Sequence, residues 1–220
     1  MERRPEPAEL MNDFSQALAY SEADFAEPHD RFIALFRETF PEFRKSEKVM
    51  DLGCGPADIT VRFAKAFPQT RIIGLDGAEE MLKLGENRLQ TSGLSHRITL
   101  IQDTLPLHDS SYPCDTLISN SLLHHLLDPM TLWETIVNIC EKGSTLFIMD
   151  LMRPDDELTA RQMVTQYAAK EPEILQQDFY HSLLAAYTPA EIEVQLDKAG
   201  LTHLQIEAVS DRHLIVHGHL

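Results

Sequence analysis

Residues 49 to 60, Val49-Met50-Asp51-Leu52-Gly53-Cys54-Gly55-Pro56-Ala57-Asp58-Ile59-Thr60, decide the fold. Apolar Val49, Met50 and Leu52 form a strand that runs straight into Gly53-Cys54-Gly55 and then into a helix. Glycines let the backbone turn tightly and let a ligand approach bare backbone groups at the helix start. A Gly-x-Gly after a strand is shared by sites for dinucleotides, for phosphates and for S-adenosylmethionine, so the neighbours must decide.

A dinucleotide loop places a third small glycine three residues after Gly55, where this chain has Asp58, and Asp51 sits just ahead of the loop. At ~5 Å and an effective dielectric of ~20, each like-charge contact with a diphosphate costs about 3 kcal/mol. S-adenosylmethionine carries a sulfonium and an ammonium and has no phosphate, so the same carboxylates suit it. A second strand, Ile72 to Leu75, ends in Asp76, 21 residues after Gly55 and placed to accept from both ribose hydroxyls. A third, Ile98 to Gln102, is followed by Asp103.

With these motifs in order over roughly residues 46 to 150, the chain resembles the class I S-adenosylmethionine-dependent methyltransferases. The resemblance implies an α/β, Rossmann-like fold: a seven-stranded, mostly parallel sheet with the last strand antiparallel, helices on both faces and a helical lid. It divides the chain into an N-terminal helical cap (1–46) and a methyltransferase domain (47–220) with a lid insertion at 152–187. It also implies that Gly53, Cys54 and Gly55 receive the methionine end of the cofactor, with Asp51 orienting their loop and Tyr20 closing over the carboxylate. Asp76 and Gly77 would meet the ribose, Met81 the adenine face, and Asp103 and Thr104 the adenine edge. Asn120 and Leu122 would run along the sulfonium, with His124 and His125 beside the transferring methyl as candidate bases. Pro56 departs from the common pattern, removing one donor but suiting a first helical turn.

Each assignment has a plainer rival. Asp76 could cap the following helix, Asp103 could be a turn aspartate, Met81 a core methionine, and the two histidines mere loop wall. The lid could be a structural cap or a dimer contact. His213, His217 and His219 share one face of a strand; an exposed edge strand explains them without a metal, and the reaction implied needs none.

The remaining pattern fits one domain. The alternation reads as strand 48–52, helix 57–67, strand 71–75, helix 78–91, strand 97–102 and strand 114–120. A helix then runs from about Pro129 to Glu141, capped by Gly143, and a strand from Thr145 to Asp150. Thr188-Pro189-Ala190-Glu191 is a capping box, Gly200 ends its helix, and a hairpin closes the chain. Ahead of the first strand, Leu10, Phe14, Leu18 and Phe25 make one helical stripe, broken at Pro28, and Phe32, Phe36 and Phe40 make a second, closed by Pro41. These helices would lie over the cofactor or cover a sheet edge. Residues 1 to 9 read as a mobile, frayed start, with no apolar segment of a secretory signal.

The 220 residues carry 43% hydrophobic and 25% charged side chains, ordinary for a globular domain, and a net charge of −16. That charge opposes nucleic-acid backbones and anionic membranes alike. Three cysteines, far apart in sequence, match neither disulfide nor zinc spacing and fit a reducing cytoplasm. The expectation is a cytoplasmic enzyme that O- or N-methylates a small-molecule acceptor with S-adenosyl-L-methionine. The alternatives are an inactive S-adenosylmethionine-binding regulatory or interaction module and, opposed by Asp58, an NAD-dependent enzyme. The oligomeric state stays open, a homodimer included.

Overall fold

A computed structural model describes residues 1–6, 11–43, 48–107 and 112–220. Two helices come first, α1 (Phe14–Glu22) and α2 (Ala26–Thr39). There follow β1 (Lys48–Leu52), α3 (Asp58–Ala66), β2 (Arg71–Asp76), α4 (Glu79–Ser92), β3 (Ile98–Gln102), β4 (Cys114–Asn120), α5 (Met130–Ile139) and β5 (Cys140–Leu151). Two more helices, α6 (Glu157–Tyr167) and α7 (Glu173–Ala185), precede α8 (Pro189–Ala199) and the hairpin of β6 (Gln205–Ala208) and β7 (His213–His219).

The seven strands lie in the order β3-β2-β1-β4-β5-β7-β6. β7 alone runs antiparallel to its neighbours β5 and β6, as the resemblance implied. Side chains alternate across the sheet. Met50, Leu52, Leu117, Leu146, Ile148, Leu214 and Val216 pack on one face with Trp133 and Ile136 of α5 and Ile192 and Leu196 of α8. Val49, Ile118, Phe147, Met149 and Ile215 pack on the other with Phe32 and Phe36 of α2 and Phe63 of α3. Phe36 is fully buried, its ring 4.8 Å from Phe63 and 5.4 Å from Phe147. That anchor holds α2 against the sheet. The strand order reverses direction between β1 and β4, and a crevice opens there beyond the carboxyl ends of the strands.

Several local expectations change. α5 stops at Ile139 and the chain enters β5 directly, because Cys140 is already paired with Cys114 of β4; Gly143, at φ +92°, lies inside that strand and caps nothing. Pro28 sits in the first turn of α2, where no helical N–H is needed, and the break falls just before it, at Ala23 to Phe25. Phe14 is 56% exposed; α1 instead buries small Ala17, flanked by Met11 and Tyr20, on Ala78 and Met81. Leu10 lies outside the described residues. β7 is an inner strand with β6 at the edge, so the three histidines do not line an exposed edge. His217 meets Glu207, His213 meets Ser210 and His219 meets Thr145. Cys114 and Cys140, far apart in sequence, bring their sulfurs to 3.5 Å as free thiols.

The largest departure is at the start. Arg3 and Glu6 are bonded into the body of the protein, so residues 1–6 form a docked segment where the composition suggests a frayed end.

Candidate active site

The crevice holds a cavity of about 450 Å³, within the ~300–1,000 Å³ of small-molecule sites. Every residue expected at the cofactor reaches its wall: Asp51 near the end of β1 with Gly53, Cys54 and Gly55 after it, Asp76 at the end of β2 with Gly77 and Met81 after it, Asp103 and Thr104 after β3, Asn120 at the end of β4 with Leu122 after it, and Tyr20 from α1. His125 lines it as well, and His124 does not.

The glycine loop is fixed to β2. The N–H groups of Gly53 and Cys54 both donate to the Leu75 carbonyl, at 2.8 and 3.0 Å, and the Gly55 N–H donates to Asp76 Oδ2 at 2.8 Å. Gly53 has φ +68°, and a Cβ there would stand 2.8 Å from the Leu122 side chain, so glycine is required on two counts. Gly55 has φ +51°, and a Cβ on it would meet nothing within 4 Å: the loop faces open space. Because the N–H groups are spent on β2, what the loop has left for a ligand is carbonyl oxygen, suited to an ammonium. The backbone groups expected to be bare in this loop are therefore its carbonyls, the N–H groups of Gly53, Cys54 and Gly55 being bonded to β2. Ser121, which also lines the cavity, is held at φ +55°, a strained conformation of the kind found at ligand-facing turns.

Burial acts on the acids unequally. Asp51 is 1% exposed, accepts from Thr60 Oγ1 at 2.6 Å and is pushed up to about 7 by desolvation, with nearby Asp76 adding to it. Desolvation also raises Asp76, against the backbone N–H groups of Ala78 and Gly55 that its two oxygens accept. Each oxygen keeps a second lone pair. Tyr20 is raised to about 12, by burial and then by Asp58 and Asp76. Asp103 Oδ1 accepts from the Thr104 N–H at 2.8 Å, so the turn role weighed for it is present, with the carboxylate still at the cavity wall.

Asp58 differs from its reading in sequence. It is the hub of His29 (2.5 Å), Arg62 (2.9 Å) and Arg88 (3.0 Å), and although burial would raise its carboxyl, these partners hold it well below the ordinary range. A carboxylate so neutralised repels a phosphate weakly. The case against a diphosphate therefore rests on Asp76 and Asp103, since burial pushes Asp51 up to about 7. Arg88 also donates to the Ser21 carbonyl at 3.1 Å, which ties α1 over the cavity.

His124 and His125 form a short 3-10 turn with Leu123 after β4. His124 is 2% exposed and its Nδ1 lies 2.5 Å from Asp150 Oδ1. His125 Nδ1 lies 2.5 Å from Glu6 Oε2, and the two rings stand 4.1 Å apart. Among the described residues, Glu6, His124 and His125 are the metal-capable trio, with ligand atoms within 4.8 Å of one another. Glu6, Asp150, Arg62 and Arg88 escaped the sequence reading. Asp150, an acid at a strand's carboxyl end like Asp76, was open to the same reasoning; Glu6 carries no local signal.

A family model described as a methyltransferase domain matches residues 43–200. Demethylmenaquinone methyltransferase of Geobacillus stearothermophilus is 31% identical over 115 residues, 50% of this chain and 48% of that protein. Trans-aconitate 2-methyltransferase of Azoarcus sp. strain BH72 is 30% identical over 115 residues, 52% of this chain and 43% of that protein. The chain thus spans about half the length of the curated relatives it matches. Among solved structures, the plantazolicin methyltransferase BpumL, in complex with a monoazolic desmethylPZN analog and SAH, superposes with a TM-score of 0.67 at 14% identity over 94% of this chain and 90% of that one. A SAM dependent methyltransferase from Aquifex aeolicus gives 0.61 at 17% identity over 93% and 97%. At such identities these structures speak for the fold alone.

Proposed function

The chain belongs to the methyltransferase-domain family over residues 43–200, and from that membership we propose that it moves a methyl group from S-adenosylmethionine to an oxygen or nitrogen of a small-molecule acceptor. The carrying observation is that acids and glycines from the ends of three neighbouring strands converge on one cavity at the switch point of the sheet. The donor set fits a cationic, phosphate-free cofactor. The glycine loop leaves carbonyls for an ammonium, Asp76 keeps lone pairs for two ribose hydroxyls, and Asp51 and Asp76 are desolvated carboxyls that a positive charge would stabilise. Asp103 and Thr104 would meet the adenine edge, Met81 its face, and Cys54, Gly77, Tyr20, Asn120 and Leu122 complete the enclosure.

When bound, the cofactor supplies an electrophilic methyl group on a sulfonium. The chain's work is then to hold the acceptor in line and to exclude water, an arrangement that can contribute ~7–11 kcal/mol of barrier lowering. His125, at the cavity wall, would take the proton of a hydroxyl or ammonium acceptor; His124, turned onto Asp150, would brace the loop. We take residues 1–46 as a cap and residues 152–187 as a lid over the acceptor end. Support comes from α7, which packs on the histidine turn and is tied to α1 by the bond from Gln16 to Asp178.

With a net charge of −16 and no helix among the described residues long and apolar enough to cross a membrane, we place its work on a small metabolite in the cytoplasm. Calorimetric titration with S-adenosylhomocysteine, followed by a mass-spectrometric screen of metabolites for gain of one methylene, tests the reading. Absence of cofactor binding would overturn it. Binding without turnover across the library would favour a regulatory module.

A further inference from the structure

Residues 1–6 are fastened to the loop that carries the two histidines. Arg3 Nε donates to the Ala185 carbonyl at 2.6 Å, and its Nη2 donates to the carbonyls of His124 (3.0 Å) and Leu126 (2.9 Å). The guanidinium also lies over the Tyr187 ring, 4.1 Å from its centroid. The Arg4 N–H donates to the Leu184 carbonyl at 3.0 Å, so this part of the segment follows the end of α7. These bonds deliver the carboxylate of Glu6, 9% exposed, into the histidine cluster. Its Oε2 meets His125 Nδ1 at 2.5 Å and its Oε1 accepts from Ser182 Oγ at 2.6 Å.

We propose that Glu6 is the positioning residue of His125: its carboxylate holds the proton on Nδ1, which leaves Nε2 as the atom that receives the acceptor's proton, and Arg3 holds the segment that brings Glu6 there. The inference rests on the methyl-transfer reading. In the step served, the acceptor's O–H or N–H bond breaks and its proton goes to His125 Nε2. The electron pair left behind forms the bond to the methyl carbon, and the carbon–sulfur pair stays on sulfur. A carboxylate on one imidazole nitrogen fixes the tautomer and steadies the imidazolium that forms. Burial alone would raise Glu6, but the bond to His125 and the two imidazoles bring it down to about 2, so it is ionised wherever a histidine titrates. The other charged groups facing the pair are His124, the Asp150 behind it, Arg3, and Asp76 across the cavity. Glu6 adjoins none of the strand ends that build the cofactor site, so its loss is separable from cofactor binding.

The test uses the full chain with ring-15N histidine, treated with EDTA, followed by NMR from about pH 6 to about 9. Wild type is compared with Glu6→Gln, which keeps the size and removes the charge, and with Arg3→Gln, which loosens the segment; His125→Asn assigns the resonance. In wild type, neutral His125 is the single Nδ1–H tautomer. In both variants it becomes a mixture, while His124, whose Nδ1 faces Asp150 and whose Nε2 lies 4.0 Å from Glu6, keeps the tautomer that Asp150 sets although its titration shifts, and the affinity for S-adenosylhomocysteine stays as in wild type. For any member of a phenol and hydroquinone panel that wild type methylates, Glu6→Gln lowers kcat roughly 10²-fold with little change in KM. A His125 tautomer unaltered in Glu6→Gln overturns the proposal. So does stoichiometric Zn2+ uptake that moves the resonances of His124 and His125 together, which would make the trio a metal centre. Failure of wild type to bind S-adenosylhomocysteine removes the methyl-transfer reading instead, and the tautomer result still decides whether Glu6 positions His125.

Discussion

Asp150 Oδ1 lies 2.5 Å from His124 Nδ1, and this pairing gives two consecutive histidines different surroundings. Asp150 ends its side chain in a ring of donors: Oδ2 accepts the Leu123 N–H at 2.6 Å, and Oδ1 also takes the Leu151 N–H at 2.6 Å. The histidine turn is thereby fastened to β5 through His124, and His125 is the one left at the cavity wall.

Asp150→Ala should destabilise the protein by roughly 3–5 kcal/mol, because it strands a buried imidazole and two backbone donors. Urea unfolding at pH 7 measures this. The sign with pH follows from the direction of each shift. Burial would raise Asp150, but His124 and the backbone bonds bring it below its unfolded value, so its contribution is present above the unfolded value and is lost as pH falls through the folded one. Burial would lower His124, but Asp150 raises it, so its contribution is full below its unfolded value and fades as pH rises through the folded one. The gap between wild type and variant is therefore widest between the two windows and narrows toward both extremes. A gap that does not change with pH would show the pair to be uncharged.

Replacing Asp76 by Ala should weaken S-adenosylhomocysteine binding by roughly 2–4 kcal/mol, since charge-assisted hydrogen bonds to the ribose are lost. Asp103→Ala should cost less, ~1–2 kcal/mol, because one amino group loses its acceptor. Calorimetry on both folded variants checks the order. The reverse order would dismantle the ribose assignment.

Cofactor binding should release protons on the acid side of neutrality. Asp51 keeps its proton up to about pH 7 because it is desolvated, whereas an unfolded carboxyl loses it near ~3.9. Without ligand, the folded state holds the extra proton and stability falls as pH rises between those values. A bound sulfonium and ammonium favour the ionised form, so affinity for S-adenosylmethionine rises with pH toward about 7 and then levels. Calorimetry in buffers of different ionisation heat counts the protons, and zero release at about pH 6 would contradict the mechanism.

The two histidines should separate in single-turnover transfer to whichever acceptor the screen finds. His125→Ala should lower the rate ~10²–10⁴-fold for a hydroxyl or ammonium acceptor while cofactor affinity barely changes. His124→Asn, which keeps a donor for Asp150, should lower it less than about 10-fold. A carboxylate acceptor, ionised already, would show neither effect. The opposite ranking of the two variants would move the base to His124.

The sequence by itself determined the strand and helix alternation, the parallel sheet and the acids that line the cavity. The signals are local: a glycine pair that turns the chain at φ +68° and +51°, apolar runs of strand length, and an acid at the end of each of two strands all lie within a few residues of the turn they specify. In a parallel sheet with one switch point, fixing each strand fixes where its carboxyl end goes, so Asp51, Asp76 and Asp103 had to meet. What tertiary structure alone decided is every relation between distant segments. Glu6 reaches His125 across 119 positions, Asp150 reaches His124 across 26, and His29 reaches Asp58 across 29. None of these pairs has a spacing that marks it, because what joins the first two is the folding of the chain start and of β5 onto the histidine turn, and what joins the third is the packing of α2 on α3. The same relations changed the meaning of residues already noticed: Asp58 became a neutralised hub, and the start of the chain, read as frayed, became a docked segment whose Glu6 meets His125. Charge and periodicity are properties of a segment, whereas the effective charge and the exposed face of a side chain depend on which other segments remove it from water.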